Sequence, residues 1–516
     1  MANNPRPLSP GALALSGALA ALVLGTALAL ALRADSFTLR PAEWAALVFT
    51  LKQAALSALI ATLLAVPVAR ALARRCFPGR GALVVLMGAP FLLPVVVAVI
   101  GILSVYGRNG IANQLLAALG LPGFTIFGLQ GVVLTNVFFN LPLATRMILN
   151  GWLAIPAERF RLAETLNLGP RGIRRHLETP MLREVLPGAA AVIFLLCLTS
   201  FVVALTLGGG PKATTLELAI YQALRFDFDL GRAALLATLQ FLTCAIAVVL
   251  AGRLTLPSGL GIGQDRPLIL RAAGGWRLAL DGFFITLTAI FLLLPLIMVI
   301  RDGIPALPDL SAAIWLAALR SLLMALTAAT LATAGALILA QAVARNARGA
   351  GWIEVAAMLP MAASGLVLGT GLFLIIRPLS PPESVALPVT VLVNAALALP
   401  FLYRMVLPEA RALHLGYDRL CTTLNLRGLA RLRLVTLPRL ARPLGLGAGI
   451  AAALSMGDLG AIALFAGDHN ATLPLMVQRL AGAYRMDQAA AAALLLVSLS
   501  FALFWLCDQG GRHAAP

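Results

Sequence analysis

Apolar stretches of about 20 residues, the length a helix needs to cross a hydrocarbon core about 30 Å thick, recur along almost the whole chain. They fall at 11–32, 48–72, 81–106, 127–150, 187–207, 232–251, 278–300, 319–342, 353–377, 386–407, 443–466 and 487–507. A water-soluble chain has no interior large enough for so many of them. The composition agrees, since 60% of residues are apolar and only 12% are charged, too few charges to cover a solvated surface. The expected fold class is an all-α polytopic membrane protein with about 12 transmembrane helices, because a helix satisfies its own backbone in lipid.

The formal net charge of +18 would suggest nucleic acid in a soluble protein. Here the basic residues are sorted by side of the membrane. With the N-terminus inside, the inside segments hold most Lys and Arg, including Arg70, Arg74, Arg75 and Arg80 after the second stretch. This positive-inside bias places both termini in the cytoplasm and removes the case for nucleic acid. The first stretch is longer than a signal-peptide core and is preceded only by Arg6, so it is expected to be a retained span. Cys76, Cys197, Cys244, Cys421 and Cys507 form no C-x-x-C pair, and the four His residues form no cluster. No metal site or disulfide is expected.

Sliding the sequence against itself exposes a duplication. At an offset of 258 residues, sixteen positions between 136 and 182 are identical, among them Asn136/Asn394, Pro142/Pro400, Arg146/Arg404, Arg161/Arg419, Asn167/Asn425, Arg175/Arg433 and Pro180/Pro438. Six spans per half return the chain to its starting side, so the two repeats are parallel, related about an axis along the membrane normal. The first repeat is assigned to 1–251 and the second to 278–516. Between them, 252–277, with Pro257, Ser258, Gly259, Gly261, Gly263, Asp265 and Arg266, has the composition of a flexible cytoplasmic linker.

The longest inside loops, 151–186 and 408–442, carry the best of the match. Leu162 and Leu166, like Leu420 and Leu424, lie four apart and share one helical face. Asn167 and Asn425 then stand where that helix ends. Asn tolerates the left-handed conformation better than any residue but Gly, so a helix-ending cap is expected before a second short helix. Leu168 and Leu426 follow, then arginines including Arg171, Arg175 and Arg433. Pro180 and Pro438, thirteen residues after each Asn, mark the approach to the next span. A helix–turn–helix repeated in both halves suits gripping a pair of partner subunits.

These loops resemble the EAA loops of ABC-importer permeases, in which a Glu-Ala-Ala run precedes a Gly and a Leu-Pro pair follows. By that resemblance Arg161, Leu162 and Ala163 stand at the Glu-Ala-Ala positions with Asn167 at the Gly. Arg419, Leu420, Cys421 and Asn425 do so in the second half. Both loops depart from the pattern through Arg for Glu and Asn for Gly. The chain is further similar to the fused permease subunits of bacterial thiamine importers, on segments such as Gly101-Ile-Leu-Ser-Val-Tyr-Gly107, Phe138-Phe-Asn-Leu-Pro142, Leu207-Gly-Gly-Gly-Pro-Lys-Ala-Thr-Thr215, Glu217-Leu-Ala-Ile-Tyr-Gln222 and Gly457-Asp-Leu-Gly460. The fused permeases of ferric-iron importers share the duplicated architecture and stand second.

The resemblance implies a type I ABC importer permease-like fold in the bacterial inner membrane. It implies two copies of a cytoplasmic ABC ATPase that use ATP and Mg, and a periplasmic solute-binding protein. This chain itself would bind no cofactor. Its glycine-rich segment 208–215 is no phosphate loop, because Pro211 separates Gly210 from Lys212. Asp458, an acid inside an apolar stretch, is a candidate solute contact, as are Asn136, Asn140 and Asn394, although hydrogen bonding between helices is the role expected first for all four. A secondary transporter is the alternative of another class. It needs no paired docking loops.

Overall fold

Prolines and hydroxyl side chains set where the apolar runs become helices. Pro10 and Pro41 open α1 (Pro10–Arg33) and α2 (Pro41–Arg74), where a missing N–H costs nothing. Ser9 caps α1 by accepting the Ala12 N–H. The computed structural model describes residues 9–34, 38–88, 93–210, 213–254, 275–345, 350–467 and 469–514, and every element among them is helical. Most of the linker 252–277 lies outside these residues, as do Pro211 and Lys212.

The first half continues with α3 (Arg80–Leu86), α4 (Val95–Tyr106), α5 (Ile111–Ala118), α6 (Leu129–Leu153), α7 (Ala157–Thr165), α8 (Pro170–Ile173), α9 (Thr179–Leu198), α10 (Phe201–Leu207), α11 (Leu216–Arg225) and α12 (Leu230–Leu254). The second half runs α13 (Trp276–Ala306), α14 (Ala312–Ala344), α15 (Ala350–Met358), α16 (Gly365–Ile376), α17 (Ala386–Thr423), α18 (Gly428–Arg431), α19 (Leu437–Met456), α20 (Gly460–Phe465), α21 (Leu473–Gly482) and α22 (Met486–His513). Among the described residues eleven helices are long and apolar enough to cross a membrane, or twelve when a bent pair counts as one. The chain is a multi-pass membrane protein.

Four of the expected spans are not straight rods. The stretch 353–377 divides where Ala350–Ala362 meets α16 at 95°, and Ser364 caps the new helix by accepting the Val367 N–H. In 81–106, α3 ends at Leu86 and α4 starts behind Pro94. The stretches 187–207 and 443–466 begin earlier than expected, at Thr179 and Leu437, and break at 199–200 and 457–459. Pro187 and Pro443 stay inside helices. Apolar composition alone cannot register a bend made by one cap or one proline.

The halves cross over one another. The first helix of each packs against the broken third span of the other, and glycine makes the approach close. A Cβ on Gly371 of α16 would stand 2.5 Å from Thr26 Cβ of α1, and one on Gly101 of α4 would stand 2.5 Å from the Pro295 carbonyl oxygen of α13. Gly101 and Gly371 are 270 positions apart, so the register of 258, kept from α6 to the start of α9, does not extend back to α4. The longer connection around α5 in the first half accounts for the change. Within each half an equivalent bond fixes a short helix, where Thr50 Oγ1 accepts the Leu216 N–H at 2.9 Å and Ser321 Oγ accepts the Leu473 N–H at 2.8 Å.

Candidate docking site

Each candidate docking loop is built from a helix, a left-handed residue and a wide helical turn. Asn167 and Asn425 both adopt φ 50. Around each, the backbone closes the same pair of bonds. The Asn167 N–H donates to the Glu164 carbonyl at 2.9 Å and the Leu168 N–H to the Ala163 carbonyl at 2.8 Å. In the second loop Asn425 donates to Thr422 at 3.1 Å and Leu426 to Cys421 at 2.8 Å. This is the Schellman arrangement, which satisfies carbonyls that a helix end leaves open.

The side chains sort identically in the two loops. Leu162, Leu166, Leu420 and Leu424 are 50–62% exposed, whereas Ala163 and Cys421 are buried against the rest of the protein. Arg161 and Arg419 are exposed, as are Arg171, Arg175 and Arg433, while Leu168 and Leu426 are half-buried. Each loop therefore presents two leucines and an arginine outward and anchors itself through the small residue between them.

Pro180 and Pro438 do not break the chain before the next span. A π-helical turn, Arg174–Glu178 in one half and Leu432–Thr436 in the other, leads without interruption into α9 and α19. Thr179 N–H reaches back to the Arg174 carbonyl, and Leu437 N–H to Leu432. The wider turn makes room for a proline ring that would otherwise strike a carbonyl one turn earlier. Sequence inspection located these prolines without this continuity.

The halves differ in how the loops are held. In the first, Pro156 separates α6 from α7, and Glu178, 2% exposed, is gripped by Arg74 and, at 3.3 Å, by Arg70 of α2. In the second, α17 runs 38 residues unbroken, about 57 Å at 1.5 Å per residue, and so projects well beyond a hydrocarbon core about 30 Å thick. On this projection, beyond the apolar run that ends at 407, His414 Nε2 meets Gln341 Oε1 at 2.9 Å. Its Nδ1 lies 2.9 Å from an Arg431 guanidinium nitrogen. Arg431 has only protons to give, so Nδ1 accepts and Nε2 carries the proton. Burial, reinforced by the Arg431 and Arg345 charges and opposed by Asp418, lowers the His414 pKa. Asp418 also pairs with Arg431 at 2.7 Å. At the same end of the molecule Arg75 joins Asp281 of the other half at 2.7 Å.

The asparagines of the spans bond to neighbouring helices. Asn136 donates to Gln53 Oε1 at 2.7 Å and Asn394 to Ser455 Oγ at 3.0 Å, while Asn140 donates within α6 to the Asn136 carbonyl at 2.7 Å and across to Cys197 Sγ at 3.4 Å. Gln53 in turn donates to the Cys197 carbonyl at 2.7 Å, beside the break in the fifth span. Asp458 Oδ1 accepts the Gly460 N–H at 3.1 Å, and its Oδ2 is buried without a partner. The structure adds an acid that sequence inspection did not single out. Glu217, 1% exposed, lies against the Ser364 hydroxyl and has one carboxylate oxygen unpartnered. Asp458 approaches the adjoining Gly365, 3.8 Å from the place of a Cβ there. The two acids thus flank the 95° bend, Glu217 from α11 and Asp458 from the break between α19 and α20. The signal for Glu217 was present, as a lone acid in Leu-Glu-Leu-Ala-Ile. No cluster of His, Cys, Asp and Glu able to hold a metal occurs among the described residues.

No family model matches the chain. Among curated proteins it is 39% identical to the thiamine transport system permease protein ThiP of Brucella suis over 508 residues, 95% of this chain and 93% of that one. Identity to the ThiP of Escherichia coli is also 39%, over 541 aligned residues, 99% of this chain and 98% of that one. A shorter match, 30% identical over 178 residues, or 34% of this chain, is to the molybdenum transport system permease protein ModB of Azotobacter vinelandii. With that similarity running almost end to end, the chain belongs to the family of thiamine transport system permease proteins.

Proposed function

We propose that this chain is the membrane-spanning subunit of an ATP-driven importer of thiamine in the bacterial inner membrane, with both termini in the cytoplasm. The observation that carries the reading is the pair of matching loops, each ending a helix on a left-handed Asn with two leucines exposed beside it. A pair of exposed leucines outside the apolar core, repeated at the same place in both halves, suits a protein partner. Two copies of an ABC ATPase, one per loop, supply it. ATP and Mg are used there, and a periplasmic binding protein delivers solute to the opposite side.

ATP-driven closure of the ATPase pair moves the two loops together, and rigid connections carry that motion into the spans. The unbroken α17 is one such connection and the π turn into α9 is another. The broken third spans, crossed by the first helix of the opposite half, are the elements through which one half follows the other. Asp458 and Glu217 flank one of these breaks. Thiamine carries a positive charge, and buried carboxylates with an oxygen to spare suit it.

Uptake of labelled thiamine in a strain lacking this chain tests the substrate. Restoration by the intact gene is expected, and iron uptake should be unaffected. Loss of iron uptake with thiamine uptake intact would transfer the assignment to the ferric-iron importers.

A further inference from the structure

A pocket opens where the ends of three helices meet, at the end of the molecule opposite the docking loops. It is lined by Arg33 at the end of α1, Arg377 at the end of α16, Leu230 at the start of α12, and Leu374 and Pro378. Arg74, at the other end of α2, reaches Glu178 of the first docking loop, which places Arg33 across the membrane from it.

Four other arginines at this end are tied to the protein, whereas the exposed Arg108, Arg301 and Arg485 are not, among the described residues. Arg232 pairs with Glu43 at 2.8 Å. Arg225 donates to the Ala466 carbonyl at 3.3 Å, Arg320 to Ala471 at 3.4 Å, and Arg479 to Gly467 at 3.4 Å. Arg33 and Arg377 make no such bond among the described residues. Each sits at a helix C-terminus, which favours one cation. The helix end does not explain why both exposed arginines line one pocket. An anion there would be shared by two guanidinium groups, and guanidinium pairs suit the oxygens of a phosphate. The apolar wall of Leu230, Leu374 and Pro378 continues outward to Leu32 and Leu379, which are 77% and 81% exposed.

We propose that this pocket between the two halves binds a phosphate-bearing anion, with Arg33 and Arg377 as its ligands. Such a group comes from a phospholipid headgroup or from free phosphate, and the apolar rim favours the lipid, whose chains would lie along Leu32 and Leu379. An anion held by both arginines bridges α1 of one half to α16 of the other, at the crossover where Gly371 meets Thr26.

The test uses the full-length chain purified in detergent with phosphatidylglycerol added, read by native mass spectrometry, and in parallel by equilibrium dialysis against labelled inorganic phosphate. Wild-type protein should retain phosphatidylglycerol about tenfold more strongly than R33Q/R377Q, the loss of charge-assisted hydrogen bonds at one site. R33K/R377K should retain part of it, and thermal unfolding identifies any variant that fails to fold. A difference seen with phosphate but not with the lipid would assign the site to free phosphate and overturn the lipid as source. Equal binding of both ligands by the wild type and a folded R33Q/R377Q would overturn the proposal.

Discussion

Asn167 and Asn425, 258 positions apart, hold the same left-handed backbone conformation, φ 50 in each, at the same point of two docking loops. In that region a β-branched residue is strained, at a cost of about 1–2 kcal/mol or more per site. N167V/N425V should therefore unwind the helix–turn and uncouple transport from ATP hydrolysis, whereas N167G/N425G should retain coupling. Comparing thiamine uptake with ATPase rate in both double variants checks this. Coupled transport in the valine variant would show that the turn is not needed.

Gly101 and Gly371 allow the two crossings between halves. Alanine at either would force backbone or a β-branched side chain to move, and strain of this kind in packed interiors costs about 1–3 kcal/mol. G101A and G371A should each lower the midpoint of thermal unfolding, while G11A, whose Cβ meets nothing, should leave it unchanged.

Glu178 pairs with two arginines of α2 while almost wholly buried. Removing one partner of a buried ion pair costs about 3–5 kcal/mol, because the charge left behind is uncompensated. E178A should loosen the first docking loop, seen as faster hydrogen exchange across 157–178. The second loop, where buried Thr436 takes the equivalent place, should keep its protection.

The second loop has its own sensitivity, to acid. His414 is held neutral in the folded loop by burial and by Arg431 and Arg345, below its ordinary value of 6.5. As pH falls through 6.5 the opened loop takes up a proton before the folded one does. The stability contributed by neutral His414 is complete above that pH and declines until the folded form protonates too. Protection of 410–436 against hydrogen exchange, taken relative to the intrinsic exchange rate at each pH, should therefore fall between pH 7.5 and 5.5 in the wild type and much less in H414Q.

Much of this architecture was legible in the sequence, because lipid demands long apolar helices and duplication leaves paired Asn, Arg and Pro that composition cannot produce. The left-handed turn could be anticipated from Asn alone, since few other residues accept that conformation. The bends at Pro94 and Ser364 and the breaks after Leu198 and Met456 could not, because they depend on caps and neighbours that apolar composition does not report. Pairings across the halves, Arg75 with Asp281 and Gly101 with Pro295, were equally hidden. They join residues whose proximity is created by the crossover of the first helices, and no local pattern encodes it.

The central claim, that each loop grips one ATPase, is tested most directly by the number of ATPase subunits that copurify with one copy of the chain. The wild type should carry two, and L162E/L166E or L420E/L424E should carry one, with the pair of changes combined carrying none. Two ATPase subunits retained by the combined variant, or none bound by the wild type, would contradict the account.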